Sequence, residues 1–267
     1  MVNAIVVGAA GRMGGRIINA INETEGIEIV GAVEYKNHPA IGKDIGEIVG
    51  LGKLNIELRD NLGTILSLGD VIIDFTNHTA SLTHLEIVAK GKKSIVIGST
   101  GFSVKEMEEV KRLTKNTRCV LSPNMSVGVN LVFKVIKDIS RVLGDEFDVE
   151  IVEAHHRFKR DSPSGTAMRI AQILAQTLKR DIDKVGVYGR KGIVGERTQK
   201  EIGIQAIRAG DIVGDHTVIF GGLGERLEVT HRAHSRDTFA RGAVRAAKWI
   251  VKQKNGLYDM QDVLGLK

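Results

Sequence analysis

A single cysteine, three prolines and an aromatic content of 4% are what this 267-residue chain has least of. Each shortage excludes something. With only Cys119 there is no intramolecular disulfide framework and no cysteine-based zinc site. So few aromatics, with basic residues scattered along the chain, leave no platform on which bases would stack. A nucleic-acid partner is therefore not expected despite the net charge of +6. A modest positive balance suits small anions equally well. Long hydrophobic runs are missing too: nothing approaches the roughly 18–20 apolar residues of a membrane span, so no membrane partner is expected. The opening MVNAIVVGAAGRMGG has no basic leader, and its apolar run is broken by glycines. That predicts a chain that is not exported and works in the cytoplasm.

Apolar material for a core is present, at 42% of residues, and it is patterned in two ways. Up to about residue 125, short continuous apolar runs alternate with helical patterns. AIVVG (4–8), IEIVGAV (27–33), DVIIDF (70–75), KSIVIGS (93–99) and RCVLS (118–122) read as strands. Helices are expected after the first strand and over 79–90 and 103–115. Continuous apolar strands separated by helices predict a parallel sheet covered on both faces. Beyond Ser126 a long helix (126–143) leads into FDVEIVEAHH, a strand with alternate polar residues. IGIQAIRA, HTVIFGG and RLEVTHRA follow with no comparable helices between them, the pattern of an antiparallel or mixed sheet in an α+β unit. A last helix is expected over 236–253.

VVGAAGRMGGRI places Gly8, Gly11 and Gly14 between the first strand and its helix. Glycine is needed where a Cβ would block the approach of backbone to phosphate or the crossing of helix over strand. The spacing is G-x-x-G-x-x-G, but the context is that of a dinucleotide cradle: a strand before, a helix after, and a second strand ending at Glu34. An acid there bonds the adenosine ribose hydroxyls and repels a 2′-phosphate. Lys36 and Arg12 lie within reach of a phosphate or the adenine, so NAD and NADP both stay open. GSTGF (98–102) and SPNMSVGVN (122–130) fall at the C-terminal ends of strands, where open α/β sheets bind ligands.

The densest charge lies in EAHHRFKRDSPSGTAM (153–168). Ser162 reads as an N-cap with Pro163 at the first helical position, and the helix continues through Ala167, Ile170, Ala171, Leu174 and Leu178. The N–H groups of Ser164, Gly165 and Thr166 would then face an anion, with Lys159 nearby. Adjacent strand residues point to opposite faces, so His155 and His156 meet one ligand only if the strand ends or bends between them. Two histidines without a third ligand at a recognised spacing predict no metal site. PSGT lacks the glycines of a nucleophile elbow, so Ser164 is not read as a nucleophile. Arg157 and Arg160 read as solvated.

EAHHRFKRDSPSGTA resembles the signature E-[AL]-H-H-x-x-K-x-D-[AS]-P-S-G-T-A of the dihydrodipicolinate reductase family. GAAGRMG, DFT, IGSTGF, NMSVGVN, RAGDIVGDHTVIF and GERLEVTHRAHSR are similar to further family segments in family order, so the resemblance spans the chain. It implies an α/β Rossmann-type dinucleotide-binding domain (1–126 and 236–267) and an α+β substrate and oligomerisation domain with a mixed sheet (127–235). It also implies a homotetramer and a small dicarboxylate substrate reduced by NADH or NADPH on the diaminopimelate route to lysine. Carried over by position, His155 and Lys159 would be catalytic, and His156, Ser164, Gly165 and Thr166 would contact a substrate carboxylate. Gly8, Ala9, Ala10, Gly11, Arg12, Met13, Glu34, Gly98, Ser99, Thr100, Ser122, Pro123, Asn124 and Met125 would contact the cofactor. Many members carry Arg directly after the acid; here Tyr35 stands there, followed by Lys36, which tilts the expectation towards NADH.

Overall fold

The computed structural model describes every residue from Met1 to Lys267. Its strands, in chain order, are β1 (Val2–Val7), β2 (Ile27–Val33), β3 (Leu58–Arg59), β4 (Val71–Asp74), β5 (Ser94–Ile97), β6 (Arg118–Leu121), β7 (Asp148–His155), β8 (Gly186–Val187), β9 (Ile202–Arg208), β10 (Gly214–Gly221), β11 (Arg226–Ala233) and β12 (Gly256–Tyr258). The chain divides into two units, Met1–Val127 with Arg236–Lys267, and Gly128–Ser235.

In the first unit seven strands form one sheet in the order β12-β6-β5-β4-β1-β2-β3, every neighbouring pair parallel. The apolar runs are continuous because both faces are covered. Along β1, Ala4 and Val6 enter one core with Ile17, Ile21, Ala243 and Ile250, while Ile5 and Val7 enter the other with Ile72, Leu85, Ile95 and Val110. Burying each large side chain of this kind is worth about 1.5–3 kcal/mol. Strand order reverses at β1, which has β2 on one side and β4 on the other, and a ligand crevice opens at such a point in an α/β sheet. The two outermost strands, β3 and β12, are two and three residues long and carry no apolar run that a sequence pattern could show.

The second unit holds a five-stranded sheet in the order β11-β10-β7-β9-β8. β10 runs antiparallel to β7 and β11, while β9 runs parallel to β7 and β8, so the sheet is mixed. Val149, Ile151, Ile204, Val218 and Phe220 pack from one sheet face against Ile136, Ile170 and Leu174 of the helices Val127–Leu143 and Gly165–Thr177. The helix after the charged turn starts later than its sequence implies. Ser164, not Ser162, is the N-cap, accepting a hydrogen bond from Ala167 N, and Pro163 lies outside the helix behind a cis peptide bond. Both serines are good caps by type; Ser164 holds the position because its N–H is bonded to Glu153 and its hydroxyl to His216.

Candidate active site

In the first unit the turn after β1 is shaped by two glycines. Gly8 has φ of +70°, in the left-handed region, and a Cβ there would lie 3.0 Å from Thr76 Cγ2. A Cβ on Gly14 would lie 2.1 Å from the Gly8 carbonyl oxygen and 2.7 Å from Ala9 Cα, a backbone collision that no side-chain movement relieves. The helix Arg12–Asn22 has Gly11 as N-cap, no side-chain cap and no acid in its first turn. Its leading N–H groups and positive dipole end are thus without a negative partner from the helix itself. At the tip of β2, Glu34 accepts from Ala10 N at 3.2 Å and Tyr35 N at 3.1 Å, tying the acid to the glycine turn. These features fit a dinucleotide: a phosphate at the bare helix start and a ribose at the carboxylate.

Two cavities flank this turn. One, of about 290 Å³, is lined by Gly8, Glu34, Tyr35, Asp60, Thr76 and His84. Beneath it the buried Asp74 accepts from Thr76 N (2.8 Å), Thr76 Oγ1 (2.6 Å) and His84 Nδ1 (2.8 Å). The other, of about 380 Å³, is lined by Arg12, Met13, Gly98 and Ser122–Met125, together with Phe75, Arg236 and Phe239. A Cβ on Gly98 would strike the Phe75 ring at 2.3 Å, and one on Gly242 would fall 1.8 Å from the Met125 carbonyl oxygen, so the helix Asp237–Ile250 presses backbone to backbone on the loop after β6. Within that loop Ser122 Oγ donates to Asn124 O at 2.9 Å. Of the remaining residues expected at the cofactor, Ala9 has its side chain in the core. Ala10 and Gly11 form the turn itself. Ser99 turns its hydroxyl inward to Ser81 at 2.8 Å, while Thr100 is exposed.

In the second unit, alternation along β7 puts Val149, Ile151, Glu153 and His155 on the helix-covered face. Register sets His216 beside Glu153 and Arg208 beside His155. The strand ends at His155, and His156 follows in the turn beyond it. Glu153 has no solvent exposure and four donors. Arg208 Nη1 and Nη2 reach its two oxygens at 2.8 Å each, His155 Nδ1 donates at 2.6 Å and Ser164 N at 3.0 Å. Burial works against ionising this carboxyl, yet Arg208, His155 and the Ser164 N–H together outweigh it and hold Glu153 below the usual glutamate range. His155 is held below its ordinary value, chiefly by burial and against the pull of Glu153, so it is neutral at pH 7. A Cβ on Gly214 would lie 3.0 Å from His155 Nε2, so the glycine keeps that nitrogen uncovered.

His216 sits edge-on to His155 with ring centroids 5.2 Å apart, and its Nε2 meets Ser164 Oγ at 3.1 Å. Burial pushes it down to about 3. Ser164 is therefore committed inside the unit: its N–H serves Glu153 and its hydroxyl serves Ala167 N and His216. The anion that its N–H faces is thus the protein's own Glu153 and not a ligand, which corrects the expectation and leaves Gly165 and Thr166 as the first two helical positions. Lys159 Nζ donates to Asp161 at 2.9 and 2.8 Å. Arg157 and Arg160 are exposed. Sequence reasoning missed Asp74, Glu153, Arg208, His216 and Arg236 as site residues. Each stands inside a sequence segment with a clear pattern, but only the folded chain shows its surroundings: Thr76 and His84 for Asp74, one shared cluster for Glu153, Arg208 and His216, and a cavity wall for Arg236.

Two family models cover nearly all of the chain: dihydrodipicolinate reductase, N-terminus, over residues 2–125, and dihydrodipicolinate reductase, C-terminus, over residues 128–264. A 4-hydroxy-tetrahydrodipicolinate reductase of Syntrophus aciditrophicus (strain SB) is 60% identical over 267 residues, covering 100% of both chains. One of Geotalea uraniireducens (strain Rf4) is 58% identical with the same full coverage. Among solved structures, dipicolinate-bound dihydrodipicolinate reductase from Paenisporosarcina sp. TG-14 shares the fold at a TM-score of 0.78, with 22% identity and 98% of each chain covered.

Proposed function

The chain belongs to the dihydrodipicolinate reductase family and is an NAD(P)H-dependent oxidoreductase acting on 4-hydroxy-tetrahydrodipicolinate, and from that premise we propose how its residues divide the work. The conversion to tetrahydrodipicolinate, on the diaminopimelate route to lysine, adds a hydride and a proton and expels one water. NADH or NADPH supplies the hydride when bound. The Gly8–Met13 turn, Glu34, Gly98 and Ser122–Met125 would hold that cofactor in the first unit.

One arrangement supports the assignment of the remaining roles. At the end of β7 a neutral His155 with Nε2 uncovered, Lys159 and the start of the helix Gly165–Thr177 belong to one short stretch of chain. Gly165 and Thr166 present their N–H groups to one substrate carboxylate, which His156 would also contact. Ser164 shapes this turn rather than binding through its own N–H. Lys159 delivers the proton, since an ammonium carries protons to give, whereas the buried His155 is a hydrogen-bond acceptor at Nε2 that orients the reacting group. Tyr35, in place of an arginine after Glu34, supports NADH as the preferred donor.

The sheet face away from the helices carries Val152, Ile207 and Ile219 among Gln205, Thr217 and Thr230, which supports assembly into a homotetramer through these sheets; the native mass by light scattering checks it. No helix is long and apolar enough to cross a membrane. We place the enzyme in the cytoplasm, where the dinucleotide pool is.

Lys159→Ala tests the catalytic assignment, with cofactor oxidation followed at 340 nm on freshly generated substrate. We expect kcat to fall by about 10²–10⁴, the usual range for a positioned acid, with the KM for cofactor unchanged. Full activity would remove Lys159 from the chemistry; loss of cofactor binding alongside activity would point to misfolding.

A further inference from the structure

We infer that Glu153 and Arg208 are positioning residues of this reductase, locking His155 as the Nδ1–H tautomer with Nε2 turned to substrate and tying the substrate-binding turn to the same carboxylate. The inference deepens the reading of His155 given above and rests on it.

A glutamate with no solvent exposure in a sheet is costly unless every lone pair finds a donor. Glu153 achieves this with donors from three other places in the chain: a guanidinium on β9, an imidazole two residues along its own strand, and the backbone N–H that precedes a helix. The fork of Arg208 takes one bond to each oxygen, which fixes the plane of the carboxylate. Once that plane is fixed, Oε2 faces His155 and Oε1 faces Ser164. Since an ionised carboxylate only accepts, the proton of the neutral ring must be on Nδ1, and Nε2 must carry the lone pair. Arg208 is itself pinned from outside the pair, because Nη2 also donates to Asp161 O at 2.7 Å. Asp161 is the residue whose carboxylate holds Lys159. One buried carboxylate and its arginine thus connect the histidine, the lysine turn and the helix start.

A role for this pair in packing alone would not require His155 at all; an apolar residue at 155 would leave the Arg208–Glu153–Ser164 bonds in place. Glu153 does more because it opposes the effect of burial on the ring, while Arg208, which acts on the ring in the same direction as burial, serves by fixing the carboxylate. The charged or titratable groups facing His155 are Glu153 on its own strand, Arg208 on β9, His216 on β10, and Lys159 in the turn after β7 with its partner Asp161. Of these Glu153 alone touches the ring with negative charge, so its removal lowers the affinity of His155 for a second proton.

The test compares Glu153→Gln, Arg208→Lys, His155→Asn and the double variant Glu153→Gln/His155→Asn. For Glu153→Gln we expect kcat to fall about 10–100-fold, by analogy with the loss of the outer hydrogen-bond partner of a metal-bound histidine, with KM for cofactor unchanged and the acid limb of the pH–rate profile displaced to lower pH. Arg208→Lys keeps the charge and loses the fork, so a smaller fall in kcat is expected in a variant that folds readily. Because glutamine keeps an acceptor oxygen for Ser164 N, the double variant should lose no more activity than His155→Asn alone. Independently of activity, the ¹⁵N shifts of the His155 ring in the free enzyme should show Nδ1–H only in the wild type and a tautomer mixture in Glu153→Gln. Wild-type kcat in Glu153→Gln, an unmoved acid limb, losses that multiply in the double variant, or an Nε2–H tautomer in the wild type would each overturn the inference. Full activity in His155→Asn would instead overturn the reading of His155, and the ring shifts would still decide whether Glu153 sets its tautomer.

Discussion

Tyr35 is the residue at which this chain makes its most legible individual choice. It stands 63% exposed directly after Glu34, edge-on to His38 at 5.1 Å. A second carboxylate, Asp60, lines the same cavity as Glu34, so the site is short of positive charge where a 2′-phosphate would enter. Tyr35→Arg adds a planar fork suited to phosphate without disturbing a core. We expect kcat/KM for NADPH to rise about tenfold, equivalent to about 1.4 kcal/mol, with the NADH value changed little; steady-state rates with both cofactors measure it. No gain for NADPH would mean that the phosphate is bound elsewhere. At this scale local motifs pointed to His155, Lys159 and Glu34 as candidates, because the chemistry each offers is announced by immediate neighbours. Glu153 was hidden for the opposite reason: its meaning comes from Arg208, 55 residues away, and the pairing exists only once β7 and β9 are in register.

Among the elements, the long ones were readable and the short ones were not. Buried parallel strands write continuous apolar runs, and the helices between them carry caps such as the Ser103–Glu106 box, so β1, β2, β4, β5 and β6 and the helices His78–Lys90 and Val104–Leu113 lie close to where the sequence puts them. β3 and β12 are edges, whose two or three residues gain their pairing from the neighbouring strand. The start of the helix Gly165–Thr177 was misjudged because the local preference for Ser-Pro at a helix start lost to the bond from Ser164 N to Glu153. Helix packing also has a consequence at the loop proposed to hold the cofactor. The helix Asp237–Ile250 contacts the Ser122–Met125 loop through Gly242, where even one methyl group would meet a carbonyl oxygen at 1.8 Å. Gly242→Ala should therefore push the loop outward, raising the KM for NADH severalfold, and overpacking of this kind costs about 1–3 kcal/mol of stability. A cofactor titration with a denaturant melt checks both; unchanged values would show that the helix can slide away freely.

For the molecule as a whole, buried histidines make stability depend on acidity. His216 is 5% exposed and is held at about 3, against an ordinary value of 6.5, and burial lowers His155 and His231 in the same direction. Their neutral forms belong to the folded state, so the unfolded chain takes up protons first. Stability is complete above about pH 6.5 and is lost as pH falls towards the folded values, by up to about 1.4 kcal/mol per pH unit for each such site. Urea melts between pH 6.5 and 5, a window where carboxylates are ionised in both states, should show this slope, and His216→Asn should flatten it. An identical slope in that variant would assign the effect to other groups. One last property follows from the way the chain is threaded. The first unit is begun by Met1–Val127 and completed only by Arg236–Lys267, whose Ala243, Ala247, Ile250 and Met260 close the core over β1. On the ribosome that core stays uncovered while the whole second unit is made, a wait of several seconds at about 5–20 residues per second. The nascent chain therefore exposes an apolar sheet face through much of its synthesis, and the second unit, whose core comes from one unbroken stretch, is the half that can fold before release.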